Sequence, residues 1–174
     1  MKMDFLKLAK ERYSVRSFSD KKIEREKLEY ILEAGRCAPS AKNLQPQMIY
    51  VVEDGAKLAA IHDNVYRPFG AKTVLVCCAK RESAWVNPHS GWNSAEMDIS
   101  ICVTQMMLAA ASVGVGSTWV CYFDPKKLSE VLDLPEDVTP LCMLPIGYAD
   151  GSDASKPSFR HEDRRPLSET VKYI

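Results

Sequence analysis

Residues 94–119 read SAEMDISICVTQMMLAAASVGVGSTW, and this run decides the fold class. From Ile99 to Val113 apolar side chains nearly encircle a helix, interrupted by Ser100, Thr104, Gln105 and Ser112. The stretch is shorter than the ~20 residues a bilayer span needs. It therefore predicts a helix over about 94–113 that a protein core buries on most sides. Gly114 supplies the left-handed residue that closes such a helix, and Ser117 to Tyr122 follows as a strand. A dinucleotide fingerprint needs the opposite order, strand then glycine turn then helix, so that pyrophosphate meets a helix N-terminus. Trp119 also stands where the third glycine would fall, so Gly114-Val115-Gly116 is not a phosphate loop.

Outward from this helix, elements alternate. A short amphipathic helix spans about 3–11. A second runs from about 24 to 36 with Asp20 as its candidate cap, and Leu28, Ile31, Leu32 and Gly35 form its inward face at i, i+3, i+4 and i+7. Pro39 stops it, and a polar loop from Ser40 to Gln47 leads into an apolar strand, Met48 to Val52. Residues 55–63 form a short helix, and Thr73 to Ala79 a β-branched central strand. After a Trp-, Pro- and Gly-containing loop (81–93) and the long helix come the Ser117–Tyr122 strand, a helix over 125–132 and a strand from Leu141 to Gly147. Beyond Asp150 the chain is polar and extended as far as Leu167–Tyr173, a tail suited to wrapping a neighbour. No repeat or linker divides the pattern, so the expectation is a single domain over 1–174 with one α+β sheet layer.

Composition narrows the function. In 174 residues Lys+Arg and Asp+Glu are both 23, which gives no electrostatic case for nucleic acid or an acidic membrane. Met1 to Arg12 does not read as a secretory leader, so a soluble cytoplasmic protein is expected. The six cysteines form no Cys-x-x-Cys pair and mostly sit in apolar runs, where free Cys behaves as a small buried hydrophobe. His62, His89 and His161 have no metal-ligand spacing, so no metal is expected. No Gly-x4-Gly-Lys-Ser/Thr loop or Gly-x-Ser-x-Gly elbow anchors kinase or hydrolase chemistry.

Three segments carry chemistry. In Arg12-Tyr13-Ser14-Val15-Arg16-Ser17-Phe18, a loop or extended edge, alternate residues share a side. Arg12, Ser14 and Arg16 would then present two guanidinium forks and a hydroxyl, suited to a phosphate dianion and an adjoining polyol. The same segment also reads as a surface loop of salt bridges. Ala38-Pro39-Ser40-Ala41-Lys42-Asn43-Leu44-Gln45-Pro46 offers a hydroxyl and two amides that could read the edge of a flat heterocycle, or simply forms a turn. Leu144-Pro145-Ile146-Gly147-Tyr148 ends a strand with a glycine that admits close backbone approach, or is a strand-ending turn.

In this order the segments resemble the nitroreductase family over nearly the whole chain. Arg-x-Ser-x-Arg-x-Phe and Ala-Pro-Ser-Ala-x-Asn-x-Gln-Pro are similar to its first two motifs. Asp98 to Trp119 resembles its long central helix and following strand, and Leu-Pro-Ile-Gly-Tyr and Arg-Arg-Pro-Leu-x-Glu-x-Val are similar to its closing motifs. The resemblance implies a mostly antiparallel central sheet flanked by helices around a long buried helix, in an intertwined homodimer with two FMN sites at the interface. Arg12, Ser14 and Arg16 would hold phosphate, ribityl chain and ring edge; Pro39, Ser40, Asn43 and Gln45 would come from the opposite subunit. Pro145, Ile146 and Gly147 would line the ring near N5, and Arg164 or Arg165 would close the phosphate site. Asn64 and Arg67 occupy the place of two residues that touch the ring in larger members. The implied activity is ping-pong hydride transfer from NAD(P)H through FMN to nitroaromatics, quinones or similar acceptors, with no protein side chain as catalyst. Trp85 and Trp92 would shape the acceptor pocket or merely pack. Rivals are a flavin-delivery protein with little turnover, or a specialised family reaction such as reductive dehalogenation.

Overall fold

The computed structural model describes residues 4–64 and 69–174. Its centre is the strand β2, Thr73–Lys80, which is buried on both faces along almost its whole length. Leu75, Cys77 and Ala79 point to one side and Val74, Val76 and Cys78 to the other, as the two-residue period of a strand dictates. A strand covered on both faces reads as a continuous apolar run, which is why this one was legible.

β2 pairs antiparallel with β1 (Gln47–Val52) and with β4 (Val138–Gly147), and β4 pairs with the two-residue β3 (Gly116–Ser117), giving the order β1-β2-β4-β3. The expected strand from Ser117 to Tyr122 is much shorter, because after Ser117 the chain keeps only an isolated bridge, Val120 to Met143. β4 in turn starts three residues earlier than Leu141.

Helices cover both faces. On the Leu75 side lie α2 (Arg25–Arg36) and α4 (Ala95–Ser112), which touch where Gly35 lets Met106 and Cys102 approach; a Cβ there would sit 2.7 Å from Met106 Cγ. On the Val74 side lie α3 (Gly55–Asn64) and α5 (Pro125–Leu132), contributing Leu58, Ile61, Leu128 and Leu132. Each such fully buried aliphatic side chain contributes about 1.5–3 kcal/mol. Asp4 caps the first helix, α1 (Phe5–Glu11), by accepting from Lys7 N–H at 3.1 Å. Asp20 does not cap α2: the capping position is Glu24, without a side-chain bond, and Asp20 instead pairs with Lys72 at 2.8 Å. A last short helix, α6 (Leu167–Thr170), lies in the exposed C-terminal segment.

The long helix departs from expectation on one side. Met97, Ile101, Thr104, Leu108 and Ala111 recur at alternating spacings of four and three and form an exposed to half-buried stripe. The hydroxyls on and beside it bond the helix's own carbonyls: Ser100 Oγ donates to Glu96 O and Thr104 Oγ1 to Ser100 O, both at 2.7 Å. The stripe thus presents mainly carbon, at the spacing of a helix–helix seam. Among the cysteines, Cys37 and Cys121 are exposed rather than buried, and the other four lie in the core.

Candidate functional site

The first and third segments meet at one edge of the sheet. The chain leaves α1 through Arg12, whose N–H donates to Leu8 O at 2.9 Å, and continues as an extended edge beside β3. Val15 N–H donates to Ser117 O at 3.0 Å, with Ser14 bridging Ser117; farther on, Phe18 bridges Ala149 and Ser19 N–H donates to Tyr148 O. Val15 and Phe18 are buried, and they pin the segment while Arg12 and Ser14 stay half-buried and Arg16 exposed. Arg16 reaches back, its Nη1 3.4 Å from Ser14 O.

Glycine makes this edge possible. A Cβ on Gly116 would lie 2.6 Å from Val15 Cγ2 and 3.2 Å from Gly147 O. Gly147, expected to line the ligand, packs closely on this chain's own Phe18, whose ring a Cβ would meet at 3.1 Å. Pro145 and Ile146 are buried in β4 opposite Val74 and Thr73, and Thr118 N–H donates to Pro145 O.

A hollow of about 240 Å³ opens between the end of α1, this edge and the turn after α4, bordered by Leu8, Arg12, Val15, Ala111 and Ser117. On the other side of Tyr13 a larger one, about 690 Å³, is bordered by Lys10, Tyr13, His161, Glu162 and Arg164. Tyr13 and His161 meet edge-on, ring centres 6.0 Å apart, so the C-terminal segment is held against the start of the chain. Burial first, and then the neighbouring charge of Arg164, hold the Arg12 guanidinium below the usual arginine value. Among the described residues neither arginine is paired with a carboxylate. Of the two candidates in the tail, then, Arg164 is the one whose charge reaches Arg12. Two like charges brought together, one half-buried, are unfavourable unless an anion joins them.

The second segment lies elsewhere. Pro39, Asn43 and Gln45 are exposed and Ser40 half-buried, in a loop that places Lys42, Asn43 and Gln45 at φ 51°, 55° and 50°. Three non-glycine residues in the left-handed region cost about 1–2 kcal/mol each. The loop is held by Gln45 N–H donating to Ser40 Oγ (3.0 Å), Gln45 Nε2 to Asn43 O (3.2 Å) and Ala41 N–H to Asp98 Oδ1 (2.9 Å). Asp98 is 4% exposed and takes Ser94 Oγ–H on its other oxygen at 2.7 Å. This makes Asp98, near the start of α4, the tether of the loop. Its signal in the sequence was a carboxylate on the apolar face of an otherwise buried helix. From Asp98 to Ser112 the helix rises about 21 Å, so within one chain the loop and the Arg12 edge stand at opposite ends of α4.

Ser94 also closes a small hairpin not anticipated in the 81–93 loop. Val86 bridges Asn93, Ser94 N–H donates to Trp85 O, and Asn87 turns the tip by accepting from His89 and Ser90 N–H. Trp92 is 43% exposed on it, and Trp85 half-buried. The Asn64 side chain and Arg67 lie outside the described residues. Among the described residues no helix is long and apolar enough to cross a membrane.

Comparison with known proteins gives a consistent answer. Residues 9–68 and 62–148 match the model described as the nitroreductase family. A protein of Methanothermobacter thermautotrophicus, provisionally named NADH dehydrogenase/NAD(P)H nitroreductase, is 30% identical over 161 residues, covering 84% of this chain and 78% of its own. A Bacillus subtilis protein named FMN reductase [NAD(P)H] is 29% identical over 167 residues, 86% of this chain and 67% of its own. A crystal structure of a nitroreductase family protein from Clostridium difficile 630 superposes with a TM-score of 0.90 at 35% identity, covering 98% of both chains.

Proposed function

The chain belongs to the nitroreductase family, and on that ground we propose that it is an FMN-holding oxidoreductase, drawing electrons from NAD(P)H and passing them to flat, electron-poor acceptors such as nitroaromatics or quinones. The observation that carries this reading is that Arg12, half-buried, and Arg164, from the C-terminal segment, border two hollows that share Tyr13, that the charge of Arg164 acts on Arg12, and that neither is in an ion pair among the described residues. A mononucleotide phosphate supplies the missing anion, and guanidinium forks bind it without losing their charge.

The donor set around this pair fits FMN. The Ser14 hydroxyl and Arg16 adjoin Arg12 on the extended edge and suit a polyol chain and the rim of a ring. Backbone of β4 at Pro145, Ile146 and Gly147 runs beside the same edge. Ser40 Oγ already accepts from Gln45 N–H, which leaves its own O–H to donate. Because that loop stands at the far end of α4, it can join the Arg12 edge only from a second copy. Two copies packed antiparallel through the Met97–Ala111 stripe about a two-fold axis would bring the start of one α4 to the end of the other. We therefore assign Pro39, Ser40, Asn43 and Gln45 to the partner's flavin.

Bound FMN would supply the redox chemistry, taking hydride at N5 and returning it to the acceptor in a ping-pong cycle. The chain's residues bind and orient. The guanidiniums neutralise the phosphate, positive charge and backbone donors favour negative charge at the pyrimidine rim, and the exposed Trp92 hairpin, joined to the loop through Ser94 and Asp98, walls the acceptor side. The test is anaerobic mixing of the purified yellow protein with NADH and with NADPH, followed by nitroaromatic and quinone acceptors. Rapid bleaching and reoxidation by an acceptor are expected. A flavin that stays oxidised with both nicotinamides would make the protein a carrier, and a colourless protein that refuses added FMN would end the reading.

A further inference from the structure

We propose that Asp98 is the positioning residue of the flavin-contact loop: its buried carboxylate holds the Ala41 amide and thereby fixes Ser40, Asn43 and Gln45 in the conformation that meets the ring. The inference rests on the assignment of that loop to FMN and goes beyond it, because Asp98 touches no part of the proposed site itself.

The argument starts from burial. A carboxylate this deeply enclosed is retained only when its oxygens are hydrogen-bonded. Asp98 accepts from Ala41 N–H at 2.9 Å and from Ser94 Oγ–H at 2.7 Å, and it occupies the first turn of α4, where the helix favours negative charge. Of these bonds, only the one to Ala41 crosses to the loop. Immediately after Ala41 the backbone enters the left-handed region at Lys42 and Asn43, and again at Gln45. Backbone of this kind persists only where its surroundings over-determine it. The internal bonds of the loop, Gln45 N–H to Ser40 Oγ and Gln45 Nε2 to Asn43 O, set its shape but do not attach it to the body of the protein. Lys80 N–H to Pro46 O (2.9 Å) fixes its exit to β2, and its entry is fixed by the Asp98–Ala41 bond. That bond joins the loop to the start of α4, the end that the proposed two-fold axis carries to the neighbouring Arg12 edge, and through Ser94 it joins the loop to the base of the Trp85–Ser94 hairpin as well. A charged acceptor on a backbone amide is among the stronger hydrogen bonds available.

The test cuts this bond from both sides. Asp98→Ala removes both acceptors at once. Ala41→Pro removes the donor and leaves Asp98 in place. Ser40 is at φ −135° and ψ 160°, which is compatible with a following proline, and Ala41 opens a helical turn, where proline is tolerated. FMN dissociation constants would be measured by flavin fluorescence for the parent, both single variants and the double variant. Sedimentation would be run alongside, with visible spectra at saturating FMN. Each single change should weaken FMN binding about ten- to a hundredfold. The double change should cost little more than the worse single one, because both break the same bond, and the dimer should persist. The flavin spectrum at saturation should shift in both variants, which a mere loss of stability would not produce. Single variants within twofold of the parent with an unshifted spectrum, or effects that multiply in the double variant, would overturn the assignment. Should Asp98→Ala not fold, Ala41→Pro decides alone by the same two readouts. A parent that binds no FMN sinks the flavin reading itself, and this inference with it; a parent that binds while the variants match it sinks only the role of Asp98.

Discussion

Replacing Arg164 by alanine separates an anion site from an ordinary surface cluster, because the two make opposite predictions for the empty protein. Arg164 is exposed, and among the described residues its Nη1 donates only to backbone oxygens, Arg160 O at 3.2 Å and Asp163 O at 2.9 Å. Water can take over those contacts, so the folding cost of Arg164→Ala should stay within about 0.5 kcal/mol. Removing a like charge from beside Arg12 should, if anything, help the flavin-free protein. Binding is different. Loss of a charge-assisted hydrogen bond to the phosphate costs about 1.5–3 kcal/mol, which raises the FMN dissociation constant roughly 10- to 150-fold. Arg165→Ala, lacking that neighbour relation, should remain within about threefold. Fluorescence titration with FMN at two salt concentrations, together with calorimetric melting of flavin-free protein, reads both quantities. The parent's affinity should fall as salt rises and that of Arg164→Ala should fall less. Equal FMN affinity in parent and Arg164→Ala, or an unchanged affinity accompanied by a markedly lowered Tm, would refute the phosphate assignment.

Further outcomes follow from the packing. Gly116→Ala drives a methyl to 2.6 Å from Val15 Cγ2; it should cost about 1–3 kcal/mol, lower Tm by roughly 2–12 °C, and reduce flavin content by displacing the Arg12–Arg16 edge, whereas unchanged melting would show that the edge yields freely. Ile101→Glu buries a carboxylate against the apolar stripe of the second copy's α4, near its Leu108, across the proposed seam and should weaken the dimer at least about a hundredfold; sedimentation showing an intact dimer that keeps its FMN would dismiss the antiparallel α4 arrangement. In a thiol titration of the native protein, only Cys37 and Cys121 are open to the reagent. Burial pushes Cys78 up to about 12 and Cys102 up to about 11, so these thiols stay protonated, and the count should not rise on going from neutral pH to about pH 9. More than two reactive thiols in folded protein would contradict the buried assignment.

Much of this protein was determined by sequence alone. The continuous apolar run of β2, the encircling apolar pattern of α4, the inward face of α2 and the residue types of the three motifs are set by near neighbours, and near neighbours are what a sequence displays. The order of the motifs likewise carried the resemblance to the nitroreductase family, which the family match over residues 9–68 and 62–148 bears out. Only the tertiary structure decided what depends on register between distant segments. It set the charge of Arg164 on Arg12, laid Phe18 against Gly147, and held β3 to two residues, with only the Thr118–Pro145 bond and the Val120–Met143 bridge to β4 beyond it. It also turned the 81–93 loop into a hairpin and tied Ala41 to Asp98 across 57 positions of chain. Such convergences are fixed by packing both faces of β2 at once, a constraint no local window contains. Their geometry also carries the most functional consequence, for it sets the loop and the arginine edge at opposite ends of one helix, so that in the proposed dimer each flavin site draws on two chains.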